Sequence, residues 1–213
     1  MKKLFFILSL PSLFMLNTAR AQHQDQGSGA GQESFPQGTN SLAIGVGIGG
    51  EYGWWGVGYS STPNLVISYE NGIVGNGKVG PGTISIGGLL SYKGIGYSYT
   101  DPYSGYFYKQ NWSYYILGIR GAYHWNFTGN VKFDPYAGVM ISYSLVNYSF
   151  SSNDPYWNNP NDPFYNTYNN SYPSYAQVSL FLGCRYYVSS HIGLWAELGY
   201  GYTNLSLGIN FKF

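Results

Sequence analysis

The chain has 213 residues, enough for one domain with a sizeable interior. Only 9% are charged, against roughly 25% in ordinary soluble domains, whereas 20% are aromatic and the formal net charge is +1. Such a charge-poor surface excludes an ordinary water-exposed globule, and the near-neutral balance excludes a nucleic-acid binder, which needs a basic face.

The N-terminus carries Lys2 and Lys3, a short apolar run over 4–16, and the small-x-small pattern Ala19-Arg20-Ala21. This predicts a secretory signal peptide over 1–21. The run falls short of the roughly 20 residues a membrane helix needs. Residues 22–40 are rich in Gln, Gly and Ser, which predicts a disordered periplasmic lead-in. Residues 41–213 are then the barrel. Cys184 is the sole cysteine, so the chain offers no internal disulfide and no CxxC pair.

Eight alternating segments follow. The first, 41–49, sets Leu42, Ile44, Val46 and Ile48 against Ala43 and three glycines. The second, 64–73, turns Leu65, Ile67 and Tyr69 one way and Glu70 the other. The third, 82–92, aligns Ile84, Ile86, Leu90 and Tyr92. In the fourth, 112–125, Tyr115, Leu117, Ile119, Tyr123 and Trp125 oppose Arg120 and His124. The fifth, 135–146, aligns Ala137, Val139, Ile141, Tyr143 and Leu145. The sixth, 175–188, opposes Val178, Leu180, Leu182, Cys184 and Tyr186 to Gln177, Ser179, Gly183 and Arg185. The seventh, 191–202, places Ile192, Leu194, Ala196, Leu198 and Tyr200 opposite Glu197. The eighth, 204–213, alternates Leu205, Leu207, Ile209, Phe211 and Phe213 with Ser206, Gly208, Asn210 and Lys212.

One greasy flank and one polar flank, repeated at the length of a tilted bilayer-crossing strand, predict an all-β, eight-stranded antiparallel transmembrane β-barrel. An even strand number puts both termini on the periplasmic side. Short turns near 75–81, 128–132 and 189–190 belong there. Longer stretches over 50–63, 93–111 and 147–174 belong outside, with a tight exception at Thr203-Asn204. Tyr92, Tyr143, Tyr200 and Tyr202 fall where an outer aromatic girdle is expected, and Tyr123, Trp125, Tyr186, Phe211 and Phe213 where an inner one is.

The segment Glu197-Leu-Gly-Tyr-Gly-Tyr, followed by an alternating strand that ends Phe211-Lys212-Phe213, resembles the small outer-membrane β-barrel proteins of Bacteroidota-type bacteria. More loosely it resembles the eight-stranded OmpA/OmpX kind. The stretch 63–92 matches more weakly. The resemblance implies insertion by the barrel-assembly machinery, with Phe213 as the assembly signal, and outer-membrane lipid and lipopolysaccharide as surroundings. It implies no shared activity, because one fold hosts many functions.

Glu70, Arg120, Arg185, Glu197 and Lys212 share the inward parity and predict a lumen cluster of ion pairs. Placing the turn between the sixth and seventh strands at 189–190 sets Arg185 and Glu197 nearly opposite, and Glu70 and Arg120 could meet across the narrow lumen. A proton path or gate is the alternative use of the same charges. No Ser-His-acid set shares a face and a height, which argues against a lipid A-modifying hydrolase. Asp precedes Pro at 101, 134, 154 and 162, the pattern of a turn whose Asp caps its own backbone. The loop stretches carry Trp54, Trp55, Tyr103, Tyr156, Trp157, Tyr165 and Tyr168 among Asn and Ser, a composition suited to adaptable contact. The expectation is therefore a monomeric, non-enzymatic surface protein without cofactor or metal. Its outer loops would serve envelope integrity, adhesion or contact with a host or ligand, with a narrow porin-like channel as the alternative.

Overall fold

A computed structural model describes residues 33–50, 58–75, 77–125, 129–157 and 172–213. The expected signal peptide, Trp54, Trp55, Tyr165, Tyr168 and Asp162 lie outside the described residues. Among the described residues there are nine strands: β1 (Asn40–Ile48), β2 (Tyr59–Ser61), β3 (Asn64–Val74), β4 (Gly82–Thr100), β5 (Phe107–Trp125), β6 (Phe133–Ser152), β7 (Tyr175–Tyr187), β8 (Ile192–Tyr200) and β9 (Leu205–Lys212).

The ladder closes on itself. Each of β1, β3, β4, β5, β6, β7, β8 and β9 pairs antiparallel with two neighbours, and β1 pairs with β9 to seal the ring. The short β2 continues β3 after a break at Thr62-Pro63, because proline has no N–H for the ladder. Thr62 repairs the break: its N–H donates to the Gly94 carbonyl at 2.9 Å, and its hydroxyl accepts the Gly94 N–H at 2.9 Å. The result is an all-β, eight-stranded antiparallel barrel.

Parity decides what each face meets. Ile44, Leu65, Leu117, Ile141, Leu180, Leu194 and Leu207 are exposed, as are most apolar residues of the same parity, with Ile119 at 70%. Their neighbours one position along are buried or, at Gly45, Gly118 and Gly208, half-buried. A soluble protein rarely leaves more than a few hundred Å² of contiguous apolar surface open, whereas here the belt runs around the ring. The inside is mixed: buried polar and charged groups such as Glu70, Arg120, Arg185 and Glu197 sit beside an apolar cluster that includes Val66, Leu89, Ile116 and Phe181.

The interior is filled by large side chains set into glycine hollows. A Cβ on Gly138 would collide with the Phe181 ring, one on Gly183 with Tyr136, and one on Gly118 with Met140. Those three large residues are all buried.

Two expectations about length are corrected. The stretch 93–111 is not a long loop: β4 and β5 run on as a paired hairpin to Thr100↔Phe107, leaving only 101–106 as the turn. Likewise β6 continues beyond 146 to Ser152, paired with β5 throughout. Alternation weakens there because lipid no longer selects the outer face, so the residues read as loop. The excess over 93–100, 107–111 and 147–152, eight, five and six residues, projects roughly 16–26 Å along the strand direction at ~3.3 Å per residue.

A third correction concerns the lead-in over 22–40. Its last residues are ordered at the end of the barrel where β1 begins and β9 ends, here the near end. Phe35 is fully buried and Ser34 nearly so.

Candidate functional site

Four of the five charges expected in the lumen meet in the near half of the barrel. Glu70 comes from β3, Arg120 from β5, Arg185 from β7 and Glu197 from β8, each on the inward parity of its strand. Arg120 bridges two acids: its Nε lies 2.9 Å from Glu70 Oε1 and its Nη2 2.6 Å from Glu197 Oε2. Arg185 reaches the other oxygen of Glu70 at 2.8 Å.

Its second partner is Asp134, at 3.0 Å, and not Glu197. The expected Arg185–Glu197 contact fails because the true register sets Glu197 opposite Gly183 and Arg185 opposite Trp195. Lys212 also stands apart. Its ammonium sits 4.0 Å from the Tyr187 ring centroid and donates to the Ser34 carbonyl at 3.3 Å, near the mouth.

Sequence reasoning missed two members. Asp134 was read as a turn residue, yet it lies directly across the ladder from Arg185. His124 was read only as inward. Its Nδ1 is 2.9 Å from Asp134 Oδ1 and its Nε2 is 3.3 Å from Glu70 Oε2. Extending the fifth strand by two residues to Phe133 puts Asp134 on the parity of Tyr136, and that was the available signal. Three carboxylates face two guanidiniums, and an imidazolium at His124 would make the group neutral. All six side chains are at most 2% exposed.

Aromatic groups complete the shell. Tyr136 donates its hydroxyl to Glu197 Oε2 at 2.9 Å and accepts from Trp195 Nε1 at 2.6 Å. The Arg120 guanidinium lies 3.8 Å from the Phe181 centroid, and that of Arg185 lies 4.5 Å from Tyr136. Tyr202 was expected in the outer girdle. It is buried instead and donates to Glu197 Oε1 at 3.2 Å. Gly201, at φ +117°, breaks the strand parity and turns the ring inward.

Contrary to the sequence expectation, a Ser-His-Asp set does share a face and a height. Ser85 Oγ lies 3.0 Å from His124 Nε2. The set is nevertheless unsuited to nucleophilic catalysis. A base needs one free ring nitrogen to take the serine proton. Here each ring nitrogen faces a carboxylate, and the Phe35 ring stacks on the imidazole at 3.9 Å, where a substrate would have to enter. What the arrangement does is reach across the lumen and staple strands that are not ladder neighbours: β3 to β5, β3 to β7 and β5 to β8.

A second arrangement lies at the far end. Asp101 builds the tip of the β4–β5 hairpin. Its Oδ1 accepts the Tyr103 N–H and its Oδ2 the Ser104 hydroxyl, both at 2.9 Å. Those two donors hold its carboxyl below the usual aspartate range. Tyr103 at the apex is 98% exposed. Asp154 repeats the turn with the Tyr156 N–H at 3.0 Å, and its Oδ2 accepts the Tyr108 hydroxyl at 2.7 Å, tying the two turns together. That bond pushes the Tyr108 phenol up to about 12. Tyr156 is exposed, and Trp157 packs on Tyr156 and Phe150. Phe213 is exposed at the near end, on the apolar belt.

No protein-family model and no curated protein matches the chain. Among solved structures it is similar to Ail, the attachment invasion locus protein of Yersinia pestis, at 10% identity and a TM-score of 0.46, over 83% of this chain and 99% of that one. It is also similar to the outer membrane protein OprG from Pseudomonas aeruginosa, at 11% identity and 0.46, over 85% and 99%. The N-terminal β-barrel domain of Pseudomonas aeruginosa OprF aligns at 13% identity and 0.42, over 84% and 99%.

Proposed function

We propose that this chain is a non-enzymatic outer-membrane protein of a Gram-negative cell. Its lumen is sealed and its far-end ribbon meets the extracellular surroundings. The exposed belt requires lipid, and a secretory leader with a strand-built span is the combination the outer membrane takes. The C-terminal resemblance supports a Bacteroidota-type envelope and delivery by the assembly machinery through Phe213. Both termini and the short turns then face the periplasm, and the ribbon stands outside among lipopolysaccharide headgroups.

The observation that carries the surface role is the ribbon itself. Strands β4, β5 and β6 extend well past the length a bilayer needs, and two Asp-built turns fix their tips. A tyrosine on a rigid tip offers a large amphipathic contact at low entropy cost, the property of a binding anchor. Contact of this kind suits adhesion or ligand capture. The channel reading is disfavoured by the buried ion network that crosses the lumen from β3 to β7 and from β5 to β8.

Two measurements test the proposal. In planar bilayers the full chain gives no single-channel steps. On cells displaying it, an array of extracellular-matrix proteins and glycans yields a binder whose signal falls at least tenfold when 101–106 is replaced by a two-residue Asn-Gly turn. Heat-modifiable gel mobility stays unchanged in that variant. A reproducible conductance step, or undiminished binding by the shortened hairpin, would contradict the proposal.

A further inference from the structure

The near end of the barrel is closed by something the ladder does not need. Residues 34–39 precede β1 and take no part in the pairings that close the ring. They nonetheless fold back into the mouth. Phe35 is fully buried, stacked on His124 at 3.9 Å with the planes 9° apart, and the Arg185 guanidinium lies 5.2 Å from its centroid.

The wall is shaped to receive this segment. The β3–β4 register shifts between Gly72 and Val74, a bulge that leaves Ile73 outside the ladder. The segment takes up the backbone groups around that bulge. Gly38 N–H donates to the Gly72 carbonyl at 2.8 Å, Gly72 N–H donates to Thr39 at 2.9 Å, and the Gln37 amide donates to the Ile73 carbonyl at 3.0 Å. Glycine at 72 lets the segment approach closely: a Cβ there would lie 3.0 Å from the Pro36 carbonyl oxygen and 3.3 Å from the Phe35 ring, and would press on both. Lys212 fastens the start of the segment through the Ser34 carbonyl. A bulge, a glycine and a lysine thus converge on one short peptide that contributes no strand pairing.

From this we infer that residues 34–39 are a seated but detachable stopper. It closes the near-end mouth over the imidazole of His124 and the carboxylates behind it, and it can leave without unzipping the barrel. The lumen is then closed twice in series, by the stopper at the mouth and by the ion network behind it. Only the first closure is reversible on its own, so release of the stopper admits solvent and small ions to His124 without opening a pore.

Cysteine accessibility tests this in the full chain. Thr83 is fully buried beside Gly72, and its hydroxyl has no hydrogen-bond partner among the described residues, so Thr83→Cys in a Cys184→Ala background places a single thiol beneath the stopper. A small charged methanethiosulfonate reagent should label that thiol slowly. Adding Phe35→Ala, or separately Gly72→Val, should speed labelling at least tenfold while heat-modifiable mobility and the absence of conductance are unchanged. Equal rates in the parent and both variants would overturn the inference. Hydrogen exchange of the unaltered chain provides a second readout that needs no variant. The Gly38 amide should exchange at least a hundredfold faster than the amides of the β1–β9 ladder, and equal protection would show that the segment opens only with the barrel.

Discussion

Replacing Arg120 by alanine would leave Glu70 with one guanidinium in place of two and Glu197 with none. A buried carboxylate stripped of its partner costs about 3–5 kcal/mol, so R120A should lower unfolding stability in detergent by that order. Lys212→Ala removes one hydrogen bond to a backbone carbonyl and one ring contact at the mouth, worth about 1 kcal/mol. Denaturant titrations of the two variants side by side measure the difference, and equal losses would remove Lys212's separate standing.

The three Asp-Pro dipeptides among the described residues show how environment assigns roles to the same two residues. At 101 and 154 the aspartate caps a turn; at 134 it is swallowed by the lumen and paired with Arg185. The Asp101 carboxyl is held below its ordinary value, so its stabilisation of the tip is present above that value and disappears as pH falls through the depressed one. The Tyr103 amide resonance should therefore titrate with a midpoint below the ordinary aspartate value of about 3.9. A midpoint at or above it would contradict the turn geometry.

At the scale of strands, inward glycines and inward aromatics form complementary pairs. Gly183→Val would drive a side chain into Tyr136 and disturb its bonds to Glu197 and Trp195, costing about 1–3 kcal/mol by overpacking. Gly88→Ala, where the nearest atom to a new Cβ is an ordinary 3.5 Å away on the lipid side, should cost less than about 0.5 kcal/mol. Unfolding midpoints of the two variants check the contrast.

Strand parity was legible wherever lipid selects one face, which is why Ile44, Ile119, Ile141 and Leu194 could be placed outward and Glu70, Arg120, Arg185 and Glu197 inward from alternation alone. It failed where that selection stops. The ribbon of β4, β5 and β6 beyond the bilayer read as loop. Tyr202 read as girdle because Gly201 breaks the strand. Register was the other gap. Alternation has period two and says which face a residue takes, not which residue lies opposite, so the Arg185–Glu197 pairing was misassigned and Asp134 was overlooked. The stopper carried no periodic signal at all; a lone Phe in a polar stretch points nowhere until the bulge at Gly72 is seen.

Over the whole molecule, the ladder closes the ring and the ion network braces it across the lumen. The ladder joins neighbours only, whereas Glu70 alone engages arginines from β5 and β7. This division allows the far end to vary in length without disturbing the span, and it places rigidity at the near half and contact chemistry at the far end. Both follow from one claim, that the outward parity faces hydrocarbon and the inward parity faces a closed interior.

A spin-label scan along β6 in lipid vesicles tests that claim most directly. Labels at 139, 141, 143 and 145 should relax with dissolved oxygen, which concentrates in lipid, and labels at 140, 142 and 144 should be shielded from both oxygen and a water-soluble relaxant, giving a period of two. Loss of that alternation, or access of the water-soluble relaxant to positions 139 and 141, would contradict it.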